Sequence, residues 1–208
     1  MTNAPGKPLF SLPETYRILV NAIRTMSYMM RGEKSGFLSA ALRERLMIAV
    51  TEVNGCAMCS YAHARMALES GMQEAEIRSM LDGELHDVPQ NEMTAILFAQ
   101  HYADTRCVPD RAAWDKLCGQ YGRNAALAML GAIRAITAGN AIGIPAGSLL
   151  RRLGVKRFHT DSRSTPHYEI AMMLAILPFS LVAAVHAGLS RLLGQPVDSP
   201  LREAPPAA

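Results

Sequence analysis

The chain has 208 residues, of which 50% are hydrophobic and 6% aromatic, and a formal charge of +3 at pH 7. That length buries one sizeable core, and no stretch interleaves Lys and Arg with aromatics as a nucleic-acid groove would, so nucleic acid is excluded as an expected partner. Heavy use of Ala, Leu, Met and Arg in long stretches without Pro suits helices better than strands and gives an all-α class.

Residues 1–12 are polar with Pro and Gly and read as a flexible arm, and residues 196–208 as a flexible tail. Between them, 13–195 reads as a single all-α domain, a compact bundle of roughly seven to eight helices. "PETYRILVNAIRTMSYMMR" starts a first helix at Pro13, which "GEKSG" breaks. "SAALRERLMIAVTEV" begins at a Ser39 cap and runs to Asn54-Gly55, a pair suited to a helix stop and tight turn. A third helix is expected to open at Cys56 and end near Gly71. "QEAEIRSMLDG" gives a short helix, "QNEMTAILFAQHYADTR" a longer one, and "PDRAAWDKLCGQYG" another from near Asp110 to Gly122. "RNAALAMLGAIRAITAGNAIG" is Ala-rich and expected to be buried on most sides. A polar break, "KRFHTDSRST", precedes the last helix, 166–193. There is no nucleotide-binding Gly-rich loop, and no cofactor is expected.

The last helix is a case of its own. From Ile170 to Ser190 it contains no Asp, Glu, Lys or Arg and is long enough to cross a bilayer. Pro178, His186, its dilution by Ala, Gly and Ser, and the lack of a flanking aromatic belt favour a helix buried in the protein or at a subunit interface, with a membrane span as the alternative.

Four cysteines, Cys56, Cys59, Cys107 and Cys118, are too sparse for a disulfide framework. The N-terminal stretch holds no apolar core of a secretory signal, so a cytoplasmic location is expected. In that setting a C-x-x-C pair is catalytic or metal-binding rather than a structural bridge.

The pair lies in "NGCAMCSYAH". At about 100° per residue, positions 56, 59 and 63 fall within roughly 60° of one another around a helix, so all three side chains share a face. Cys56, in the first turn, meets unpaired N–H groups and the helix dipole, which favour a thiolate. His63, one turn beyond Cys59, is placed to take the proton of that sulfur. A histidine in such a role needs a carboxylate or carbonyl to orient it, and the preceding helix offers Glu44 and Glu52. Two helices joined by a tight turn pack antiparallel, which puts Glu44 level with His63. The same four residues would also make a tetrahedral zinc site, which is the main competing reading. Cys107 and Cys118 stand alone, and His101, Tyr102 and His186 read as core residues rather than pocket residues.

"ERLMIAVTEVNGCAMCSYAH" fits the pattern E-x11-C-x2-C-x3-H and resembles the alkylhydroperoxidase D-like branch of the carboxymuconolactone decarboxylase family, with Glu44, Cys56, Cys59 and His63 on its four positions. The resemblance is firm over 39–71 and weaker to about Leu153. It implies an all-helical alkylhydroperoxidase D-like fold assembled as a homo-oligomer, a trimer or hexamer. It also implies a peroxidase that reduces a small-molecule hydroperoxide through an internal disulfide, with Cys59 as the peroxidatic thiol and Cys56 as the resolving one. Glu44 and His63 would relay protons, and a lipoyl protein or thioredoxin-like thiol reductant would restore the pair. Members with well-developed peroxidase activity often carry a histidine just before the second cysteine, where this chain has Met58.

Overall fold

A computed structural model describes residues 7–198 and 200–202. Among them lie eight helices: α1 Leu12–Ser35, α2 Ala40–Asn54, α3 Ala57–Glu69, α4 Glu74–Leu81, α5 Met93–Asp104, α6 Arg111–Tyr121, α7 Arg123–Arg152 and α8 Pro166–Leu192. The all-α bundle expected from composition is the observed fold. Local chemistry sets the boundaries. Ser11 and Glu14 form a capping box at the start of α1, with the Ser11 amide donating to Glu14 Oε2 at 2.8 Å. Ser39 Oγ accepts from the Leu42 amide at 3.1 Å to open α2.

Helix α7 is the centre of the bundle. It packs along α1 and also touches α2, α3, α5, α6 and α8. Its buried surface mixes large side chains, among them Met129, Leu130 and Ile133, with small ones, Ala126, Ala128, Gly131, Ala132 and Gly143. The small ones let neighbouring backbones come close. A methyl group on Gly131 would lie 2.9 Å from the Thr25 carbonyl oxygen and 2.9 Å from Met29 Cβ of α1. Gly32 of α1 meets Ala128 of α7 in the same way. Expected to end near Gly143, α7 instead runs through Pro145 to Arg152. A single proline removes one helical donor, and the burial of this segment outweighs that loss.

Residues 7–11, expected as part of a mobile arm, lie against the bundle. Phe10 is buried, Lys7 Nζ donates to the Ala103 carbonyl at 2.7 Å, and Tyr168 Oη donates to the Phe10 carbonyl at 2.9 Å. At the other end, Arg134 donates to the Val197 carbonyl at 2.7 Å, and an isolated bridge joins Asp110 to Arg202. Residues 1–6, 199 and 203–208 of the expected arm and tail lie outside the described residues.

Helices α7 and α8 are both long and apolar enough to cross a membrane, yet they differ in surroundings. Helix α7 is largely buried, as its composition predicts. Helix α8 rests on α1 and α7 by one edge, with Met172, Ala183 and Ala187 inward, and Leu174 (74% exposed), Leu177, Leu181 and Val185 face outward. Burial of α8 within this chain, one of the expected outcomes, is therefore overturned. Its apolar composition reflects an outer stripe that this chain does not cover.

Because α1 and α7 meet backbone to backbone, Gly131→Val is expected to lower unfolding free energy by about 3 kcal/mol, an overpacking cost at a site with no room to yield. Urea unfolding should show a lower midpoint with an unchanged slope.

Candidate redox site

The α2–α3 turn sets the site. Gly55 takes a left-handed conformation, φ 71°, and its amide donates to the Thr51 carbonyl at 2.8 Å, which stops α2 and reverses the chain. Cys56 is then the N-cap of α3 rather than a residue of its first turn, and its sulfur accepts the Cys59 amide at 3.3 Å. An N–H aimed at the Cys56 sulfur stabilises negative charge there. Cys59 lies one turn on, and the two form a disulfide with their Cα atoms 5.3 Å apart. Both are buried, Cys59 keeping a small exposure and Cys56 none.

Of the two carboxylates that might face His63, the structure selects Glu44. Its Oε2 lies 2.8 Å from His63 Nδ1, and its side chain is wholly buried. Burial would raise the Glu44 pKa, but the hydrogen bonds and charges of His63 and Arg43 outweigh it and hold the carboxyl below its ordinary value. An ionised carboxylate only accepts, so Nδ1 carries the proton and donates to it. This leaves the opposite ring nitrogen of His63 as the one able to take a proton. Glu52 stands apart beside Gly83, and burial pushes its carboxyl up.

Three further contributors were not singled out by the sequence. Arg43 donates from Nε to Glu44 Oε1 at 2.9 Å and from its terminal nitrogen to Glu33 at 2.7 Å, so the buried carboxylate is paired on both oxygens. Gly143 of α7 lies against the disulfide: a methyl group there would sit 2.8 Å from Cys59 Sγ and 2.9 Å from Cys56 Sγ. Arg163, from the loop between α7 and α8, donates to the Asn54 carbonyl at 3.1 Å and the Lys7 carbonyl at 3.2 Å, holding the turn before the cysteines. Gly143 was legible only as one glycine among many in "AGNAIGIPAG". Arg43 was legible only as the neighbour of Glu44.

Of the three residues read as core, Tyr102 is buried, His101 is half-buried, and His186 is exposed and lines a cleft beside α1, which corrects the core reading for it. Tyr102 accepts from Arg134 at 3.3 Å, and burial drives its phenol pKa strongly up. His101 Nε2 accepts the Asp110 amide at 3.1 Å, and His186 Nδ1 pairs with Tyr16 Oη at 2.9 Å. Cys107 and Cys118 are free thiols. Beside the site, a cleft of about 520 Å³ opens between α3, α7 and the loop that follows α7, with Met58, Tyr61, Gly143 and Gly147 on its walls. No set of three or more His, Cys, Asp or Glu side chains among the described residues is arranged to hold a metal ion.

The second and third helices of this all-helical bundle thus bring together a bonded C-x-x-C pair and a histidine held by a buried carboxylate. Residues 21–99 match the family model of the Carboxymuconolactone decarboxylase family, a segment that spans most of α1 through most of α5 and includes Glu44, Cys56, Cys59 and His63. The match agrees with the family resemblance read from the motif over that segment. No curated protein and no solved structure matches the chain.

Two outcomes follow from this geometry. Gly143→Val should prevent the sulfurs from sitting where they do, so oxidised protein should retain two more reactive thiols per chain than wild type in a denatured thiol count. Because the folded pKa of Glu44 is depressed, its ionised form stabilises the fold above the unfolded value of about 4.3, and that contribution is lost as pH falls through the folded value. The stability difference between wild type and Glu44→Gln should accordingly be largest above about pH 5 and shrink on acidification, as read from denaturant midpoints.

Proposed function

We propose that this protein is a thiol-dependent peroxidase that reduces hydroperoxides through Cys56 and Cys59. The observation that carries the reading is the Cys56–Cys59 disulfide on the same helix face as a histidine hydrogen-bonded to a buried carboxylate. His63 takes the proton of Cys59, and Glu44 stabilises the imidazolium that results. The Cys59 thiolate attacks one peroxide oxygen, the O–O bond breaks, and the alcohol leaves with the proton returned by His63. Cys59 is now a sulfenic acid. The Cys56 thiol attacks it, the S–S bond forms, and water leaves with the Cys56 proton. Two thiol equivalents from a lipoyl or thioredoxin-like reductant then restore the pair by exchange.

The zinc reading requires two free thiolates at these positions, and in this structure the two sulfurs are bonded to each other. In our reading the protein works in the cytoplasm as a homo-oligomer, a trimer or hexamer. The uncovered apolar stripe of α8 supports assembly through that face, and light scattering without detergent tests it against membrane association.

One equivalent of hydroperoxide should remove two thiols per chain, and dithiothreitol should restore them. Cys59→Ser should abolish peroxide consumption, Cys56→Ser should stop after one oxidation at a dimedone-reactive sulfenic acid, and His63→Ala should slow alkylation of the reactive thiol at neutral pH about tenfold or more. Protein that holds one zinc per chain, with thiols unreactive until a chelator is added, would replace the peroxidase reading with the metal one.

A further inference from the structure

The cleft beside the redox pair has a chemical character of its own. Its α3 wall is apolar, with Met58 and the exposed ring of Tyr61, and Ile144 and Gly147 continue it along α7. Across the opening the segment 157–161 contributes Phe158 together with Arg157 and His159. The acidic residue of the lining, Asp161, is already neutralised: it accepts from Arg163 Nε at 2.9 Å and from the Arg163 amide at 2.8 Å, which hold its carboxyl below the ordinary range. No carboxylate lies within ion-pair distance of Arg157 among the described residues. Its guanidinium stacks only over the neighbouring Phe158 ring, 5.0 Å from the centroid. The cleft therefore joins an apolar trough to an uncompensated cation, and one of its lining residues, Gly143, is the backbone against which both sulfurs rest on the far side of the wall from the cleft lining.

We propose that this cleft is a binding site for an amphipathic anion, an apolar body carrying a carboxylate or phosphate, with the anionic end on Arg157 and His159 and the apolar body against Met58, Tyr61 and Ile144. Mostly apolar walls with a few polar groups at one end orient such a ligand in a single direction. A planar guanidinium offers two parallel donors to a carboxylate or phosphate, which fixes the head group. Resting on the peroxidase reading above, the hydroperoxide substrate is of this class, and Arg157 is the residue that selects it. Both Arg157 and Tyr61 belong to the chemistry of this chain rather than to the four-residue motif.

Isothermal titration of the oxidised full-length protein with octanoate and with octan-1-ol tests the binding half without any turnover. Octanoate is expected to bind one per chain and more tightly than the alcohol, with an advantage that shrinks as salt is raised. Arg157→Glu should weaken octanoate about tenfold and leave octan-1-ol unchanged, Arg157→Lys should recover part of the loss, and Arg151→Glu, on an exposed arginine outside the cleft, should change neither. Equal binding of acid and alcohol, no binding of either, or equal effects at positions 151 and 157 would overturn the site. For the substrate half, a fatty-acid hydroperoxide should oxidise Cys59 with a lower KM than the neutral cumene hydroperoxide, and Arg157→Glu should erase the difference through KM rather than kcat. If both hydroperoxides react but with the same KM, the substrate assignment fails. If neither oxidises the pair while octanoate still binds through Arg157, the peroxidase reading fails and the anion site stands.

Discussion

A central helix that drops to glycine at its closest contacts governs how this protein packs. Helix α7 lets α1 approach at Gly131 and lets the disulfide rest at Gly143, so two separate contacts obey one rule of close backbone approach. Small side chains make little dispersion contact individually, but they allow many atoms of the neighbouring helices to come within van der Waals range. The disulfide is therefore set against a backbone rather than against a side chain that can swing away. The polar half of the site follows the opposite rule. Burying Glu44 without partners would be costly, and the structure meets that cost with His63 on one oxygen and Arg43 on the other.

The sequence made the helices legible because their caps and periodicity are local: Ser39, Asn54-Gly55 and Gly122 mark boundaries that hold. Glu44 was readable over Glu52 because a tight turn between antiparallel helices fixes which residues are level. The placement of Cys56 was off by one position because an N-cap and a first-turn residue differ only in backbone angles. Composition predicted burial well for α7 but not for α8, since an apolar run has the same sequence whether its outer side meets its own chain, another surface or lipid. Arg43, Gly143 and Arg163 were not legible as site residues. Gly143 and Arg163 act across tertiary contacts with residues far away in the chain, and Arg43 acts on its own neighbour Glu44, where nothing in a single sequence marks it as a partner.

Electrostatics divides the surroundings of the redox pair into two unlike sides. On the α2 side Arg43 bridges two carboxylates, Glu44 and Glu33, so an excess of negative charge faces His63 there. On the side of the loop after α7, Arg163 spends its charge on Asp161 and on backbone carbonyls, while Arg157 keeps its own.

Arg163 also bears on what the smallest working piece of this protein is. Its guanidinium ties the Asn54 carbonyl, at the turn before Cys56, to the Lys7 carbonyl near the start of the chain and to Asp161 in its own loop. The family-matched stretch 21–99 contains only one of these three anchors. Excising that stretch, or grafting it onto another helical scaffold, would carry all four motif residues and leave behind the strap and the glycine floor that hold them. The unit of inheritance in such a protein is shorter than the unit of construction, and a transplant of the motif would transfer its spelling without its shape.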